Sequence, residues 1–169
     1  MNYRKLATMA AAIATSATMA AQGWPAAYEG VMLQGFYWNS YDATNWKNLE
    51  NQADELSQYF KLIWIPQSGN CGAESMGYDP LYWFDNYKSA FGSEQELRSM
   101  IKTFKQKGLA TIADVVINHR KSQYSMVDFP KETYKGNTYQ LLSTDICHDD
   151  CNGTTAQWAA QNGCQLSQN

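Results

Sequence analysis

The residues best equipped for chemistry gather in one short stretch, DVVINH, spanning 114–119. Asp114 interrupts an apolar run. A carboxylate in such surroundings has to be hydrogen-bonded or paired, because an isolated buried charge is very costly. Asn118 offers a neutral oxygen of the kind that calcium takes as a ligand. His119 brings two ring nitrogens, and a ring N–H can donate to hydroxyl groups. Plainer duties fit the same residues: Asp114 tying neighbouring loops, Asn118 and His119 turning the chain. Upstream, an aromatic-rich segment holds Tyr78 and Trp83, whose rings suit ligands with one apolar and one polar face, as sugars have.

The surrounding pattern says which elements would position these groups. GVMLQGFYW, 30–38, reads as a strand closed by Asn and Asp turn signals. Trp46, Leu49, Ala53, Leu56 and Phe60 recur at steps of three and four, one apolar face of a helix. KLIWIP, 61–66, is a short, nearly continuous apolar run ended by proline, the mark of a strand buried on both faces. A long connection, 67–90, follows; its aromatic content argues against disorder and for a function. Ser93 and Glu96 form a capping box for a second helix whose buried face is Leu97, Met100, Ile101 and Phe104, with Gly108 as its stop. LATIADVVIN, 109–118, is the third strand. Strand and helix alternate, which predicts an α/β fold with parallel strands and helical crossovers. Ligands of such folds bind beyond the carboxyl ends of the strands, where Asp114, Asn118 and His119 fall.

The chain has 169 residues, 44% hydrophobic and 17% charged, as a globular protein does. A formal charge of −3 gives no electrostatic footprint for nucleic acid or an anionic membrane. Arg4 and Lys5 precede a mild apolar run ending in small residues at Ala17, Ala20 and Ala21. That is the layout of a secretory signal peptide over 1–21, and it predicts a secreted or periplasmic protein. In an exported chain the four cysteines, Cys71, Cys147, Cys151 and Cys164, suggest disulfides, with three pairings open. Cys147 and Cys151 beside His148 match zinc spacing poorly, so loop staples are the better reading. Residues 120–169 are polar and lack a sustained period. They read as an irregular, disulfide-tied excursion with weak strand signals around Tyr139–Leu142.

DVVINHR, 114–120, resembles the first signature region of the α-amylase superfamily, glycoside hydrolase family thirteen. GYDPLYW, 77–83, is similar to that family's segment after the second strand. FGSEQELRSMIKTFKQKGLATIADVVINH resembles its helix leading into the third strand, and GVMLQGFYW its first strand. These motifs cover roughly 30–120 in the family's order and spacing. The resemblance implies the first part of a (β/α)8 TIM barrel over 22–119, β1-α1-β2-α2-β3, with 120–169 beginning a loop domain inserted after strand three. It implies that Asn118 binds a structural calcium, that His119 and Tyr78 contact the sugar next to the scissile bond, and that Asp114 supports the site. ICHDD, 146–150, is similar to a calcium-binding stretch, making Asp149 a further candidate ligand.

The implied activity is endo-hydrolysis of α-1,4-glucosidic bonds in starch or glycogen by a retaining mechanism, in a protein that is monomeric when full length. Retention takes two carboxyls about 5 Å apart. In the family the nucleophile Asp, the acid Glu and a supporting Asp follow strands four, five and seven, and a whole barrel takes about 250 residues. No stretch here resembles those later signatures. The resemblance therefore places the nucleophile and the acid/base beyond this sequence, and the chain by itself is expected to be inactive. A small secreted module that holds glucan through Tyr78, Trp83 and His119 without cleaving it is the alternative. A flavodoxin-like regulatory domain is a poorer fit, because QGFYWNS offers no phosphate-binding or acidic loop after the first strand.

Overall fold

The computed structural model describes residues 29–84 and 86–168. The leader-like segment 1–21 lies outside the described residues.

Three strands form one parallel sheet in the order β1 (Met32–Gln34), β2 (Leu62–Ile65), β3 (Ala110–Ala113). β1 and β2 are joined through α1 (Trp46–Asn51) and α2 (Ala53–Tyr59); β2 and β3 through a long loop and α3 (Glu94–Gln106). The chain is thus α/β with a parallel sheet, as the alternating pattern predicts. The central strand explains its own sequence: Leu62, Ile63 and Ile65 are buried on both faces. Trp46, Phe91, Met100 and Phe104, each 0% exposed, fill the layer between the sheet and the helices. Each such side chain contributes on the order of 1.5–3 kcal/mol by leaving water.

α3 begins as its capping box dictates. Ser93 Oγ accepts the Glu96 N–H at 3.3 Å, and the Glu96 carboxylate accepts the Ser93 N–H at 2.8 Å. That backbone bond in particular holds the Glu96 carboxyl below its ordinary pKa. The predicted first helix is interrupted at Gln52, but Trp46, Leu49 and Ala53 still face the core.

The third strand is shorter than predicted. In register, Ile65 pairs with Ala113, so the next rung would set Pro66 against Asp114. Proline has no N–H to give, and the ladder stops there. Val115 and Ile117, read as strand interior, are 66% and 79% exposed.

The segment after His119 is more ordered than its composition suggests. It contains an antiparallel hairpin, β4 (Glu132–Tyr134) and β5 (Asn137–Tyr139), turned by Lys135 and Gly136 at φ 48° and 79°. Two positive φ values in succession are what a tight two-residue hairpin turn needs. The strand signal expected at 139–142 therefore belongs a few residues earlier. Two single turns of 3₁₀ helix lead to α4 (Thr154–Gln161). The disulfide expectation is not met: all four cysteines are free thiols, with Cys71 buried in the loop after β2 and Cys147 and Cys151 exposed. Among the described residues no helix is long and apolar enough to cross a membrane.

Candidate functional site

All three parallel strands run the same way, so their carboxyl ends open on one rim. Beyond β1 stands Trp38, beyond β2 Tyr78, beyond β3 Asp114, Asn118 and His119. The loop after β2 reaches the rim through Gly77. Its φ is +98°, and a Cβ there would lie 2.6 Å from the carbonyl oxygen of Gln67. Only glycine lets the chain pass so close and present the next residue, Tyr78.

Tyr78 is the hub. Its hydroxyl donates to Asp114 Oδ2 at 3.1 Å. This supplies the partner that a carboxylate in an apolar run requires. His119 Nε2 donates to the Tyr78 carbonyl at 2.7 Å. Burial first, then the hydrogen bond to Asp114 and its charge, raise the phenol pKa above its ordinary value, so Tyr78 is a neutral donor. Because a carbonyl can only accept, His119 carries its proton on Nε2, and Nδ1, with the Asn118 amide at 3.5 Å, is left as an acceptor. The imidazole donor expected for a ligand hydroxyl is thus already engaged with Tyr78.

The next residues extend this contact into a strip. The Lys121 N–H donates to the Pro80 carbonyl at 2.9 Å, and Lys121 Nζ pairs with Asp79 at 3.0 Å. Burial opposes ionisation of Asp79, but hydrogen bonds from Ser75 and Lys121 outweigh it and hold its pKa low. Arg120 turns inward. Its Nε donates to the Leu81 carbonyl at 2.8 Å, and Nη2 to Pro130 at 2.9 Å and Glu132 at 2.7 Å. Glu132 in turn accepts the N–H groups of Trp83 and Phe84 at about 3.0 Å. The Arg120 and Glu132 side chains are only 2% and 5% exposed. Burial drives the Arg120 pKa down and Glu132 opposes that shift. Residues 119–121 therefore grip 78–84 along its length, and the hairpin locks the grip from behind.

Two features escaped the sequence reading. One is the Arg120–Glu132 pair, which no local pattern announces. The other is Trp38, whose ring is stacked near-parallel on Tyr78, with centroids 6.1 Å apart and an interplanar angle of 5°. The aromatic tail of QGFYWNS at a strand's carboxyl end was the signal available.

The calcium expectation gains no support from the geometry. Asn118 is exposed, with its amide nitrogen beside His119 Nδ1, while Asp149 is exposed ahead of the second 3₁₀ turn. Among the described residues no three His, Cys, Asp or Glu side chains gather where a metal ion could be held. Asn118 and Asp149 alone do not make the six to eight oxygen donors calcium takes.

No family model matches the chain. Curated relatives do. It is 34% identical over 91 residues to probable α-amylase 2 of Arabidopsis thaliana, covering 53% of this chain and 22% of that one. It is 31% identical over 96 residues to chloroplastic α-amylase 3 of the same plant, covering 56% and 11%. The cytoplasmic α-amylase of Escherichia coli K12 is 28% identical over 101 residues, covering 53% and 20%. These similarities, each over about half of the chain, point to the α-amylase family. It spans between about a tenth and a quarter of the length of these relatives. Their names place family members in chloroplast and cytoplasm alike, so family membership does not fix a location.

Proposed function

We propose that this chain forms part of the α-glucan-binding cleft of an α-amylase-type glycoside hydrolase that cleaves internal α-1,4 bonds with retention. The observation that carries this reading is the convergence of Tyr78, Asp114 and His119 on the rim at the carboxyl ends of parallel strands. Tyr78 supplies an aromatic face for a pyranose ring. Asp114 fixes the tilt of the Tyr78 ring by accepting a hydrogen bond from the Tyr78 hydroxyl. His119 Nδ1 accepts from a sugar hydroxyl. In this reading the three strands are the start of a (β/α)8 barrel, and 120–168 begins a domain inserted after the third strand.

Asp114 is the one carboxylate among the described residues that these contacts draw into the cluster. Retaining hydrolysis takes two, about 5 Å apart, so the chain is read as binding glucan rather than cleaving it. A calcium ion on Asn118 or Asp149 would need more oxygen donors than the described residues gather there. Export rests on the leader-like pattern of 1–21.

Titrating the chain with maltohexaose and following tryptophan fluorescence tests the reading. Saturable quenching that a β-1,4-linked glucose hexamer does not produce is expected, with no reducing sugar released from soluble starch. Equal response to both hexamers, or starch turnover abolished by Asp114→Asn, would count against it.

A further inference from the structure

The sequence holds one Asn-x-Ser/Thr triplet, Asn152-Gly153-Thr154, where α4 begins. With any residue but proline in the middle, such a triplet is the acceptor for N-linked oligosaccharide in chains that enter a secretory membrane system. Triplets of this kind arise often by chance, so the surrounding structure decides. This one sits on a tight turn. Cys151, Asn152 and Gly153 are left-handed in succession, with φ 50°, 55° and 81°. Asparagine and glycine tolerate that conformation better than most residues. The Gly153 N–H donates to the Asp149 carbonyl at 3.2 Å, and the Thr154 N–H to the Cys151 carbonyl. Asn152 stands exposed on the turn, and its side-chain amide makes no hydrogen bond among the described residues.

The two neighbouring threonines have different duties. Thr155 is 0% exposed, and its hydroxyl donates to the Asp150 carboxylate, which ties the turn to the helix. Thr154, the third residue of the triplet, is exposed, and its hydroxyl is unbonded among the described residues. The hydroxyl that recognition of the triplet requires is therefore the one the fold does not use. Among the helices and strands, α4 meets only this turn, so a bulky group on Asn152 has open space around it. We propose that Asn152 is an N-glycosylation site. The donor is an oligosaccharide carried on a polyprenyl diphosphate. Asn152 Nδ2 attacks its anomeric carbon, a C–N bond forms and the anomeric C–O bond breaks. The diphosphate leaves with the electron pair, the amide gives up one proton to a base of the transferring enzyme, and nothing is oxidised or reduced. This goes beyond the glucan reading and rests on the export predicted from 1–21.

Translating the 169-residue chain in the presence of microsomal membranes tests this, because transfer there does not wait on folding. Two forms are compared, one with its own residues 1–21 and one with a proven secretion leader in their place. A heavier band that endoglycosidase H removes is expected in both. It should be absent from Asn152→Gln and Thr154→Ala, and kept in Thr154→Ser and Thr155→Ser. Peptide mapping should place the sugar on Asn152. A translocated chain whose Asn152 is bare, or a glycan that persists in Asn152→Gln, would overturn the proposal. Glycosylation only behind the proven leader would overturn the export reading and leave the acceptor site standing. Neither result touches glucan binding, which the titration with maltohexaose reads separately.

Discussion

The sheet with its helices and the segment that follows His119 are held together by different physics. In the first, Trp46, Ile63, Phe91, Met100 and Phe104 are fully buried and apolar. In the second, the chain is fastened to the rim by a desolvated ion pair, Arg120–Glu132, and by backbone groups that saturate its hydrogen bonds. Arg120 also lies 5.3 Å over the Trp83 ring. Apolar packing degrades gradually as atoms are removed. A buried ion pair is all or nothing, because either partner alone leaves an uncompensated charge. The lesson is that the rim depends on a polar lock that lies outside the apolar core.

Double-mutant cycles break this comparison open. Arg120→Met and Glu132→Met should each cost about 3–5 kcal/mol in urea unfolding, and the double substitution less than their sum, the remainder reflecting the backbone groups of Leu81, Trp83, Phe84 and Pro130 left without these partners. In the sheet, Phe104→Ala should cost about 3–5 kcal/mol and add to either of these with no coupling. Additive losses at Arg120 and Glu132 would mean that the pair is not the lock.

A smaller effect tests how the rim is reached. Gly77→Ala must place a Cβ against Gln67 at a positive φ, and strain of about 1–3 kcal/mol is expected. Loss of maltohexaose binding should accompany it, visible by calorimetry, because Tyr78 is the next residue. Retained binding would free Tyr78 from dependence on that approach.

What could be read in advance follows the same division. The Ser93–Glu96 box, the double-faced apolar run at 62–65 and the face of α3 are local patterns, and each became the element it predicts, except that Ile101, at the margin of the α3 face, is 39% exposed rather than buried. The end of β3 was misplaced because it depends on Pro66 of a neighbouring strand, which matters only once the register is set. The hairpin was overlooked because its turn, Lys135–Gly136, lacks the usual Asn-Gly or Asp-Gly signal. Asp114 and His119 were legible as site residues by type and position. That both engage Tyr78, and that the histidine spends its donor there, is a fact of three-dimensional approach.

Two weaker perturbations sharpen the contrast. Ser93→Ala should cost about 1 kcal/mol, measured by thermal unfolding, since it deletes the helix cap. The Lys121–Asp79 pair is nearly half exposed, so screening limits it to at most ~1 kcal/mol. Its sign is definite. Asp79 has a lowered pKa in the folded chain, so its contribution is present above the unfolded value near 3.8 and is lost as pH falls through the folded one. An acid titration of stability should therefore show a slightly smaller drop below about pH 4 in Asp79→Asn. An identical titration in the two chains would contradict that assignment.

The measurement closest to the heart of the account is NMR mapping of the chain titrated with maltohexaose. The rim predicts that resonances of Tyr78, Asp114, His119 and Trp38 move together, saturating at one affinity, while those of α4 stay fixed. Shifts centred on α4 or the hairpin, with the Tyr78 ring unmoved, would contradict it.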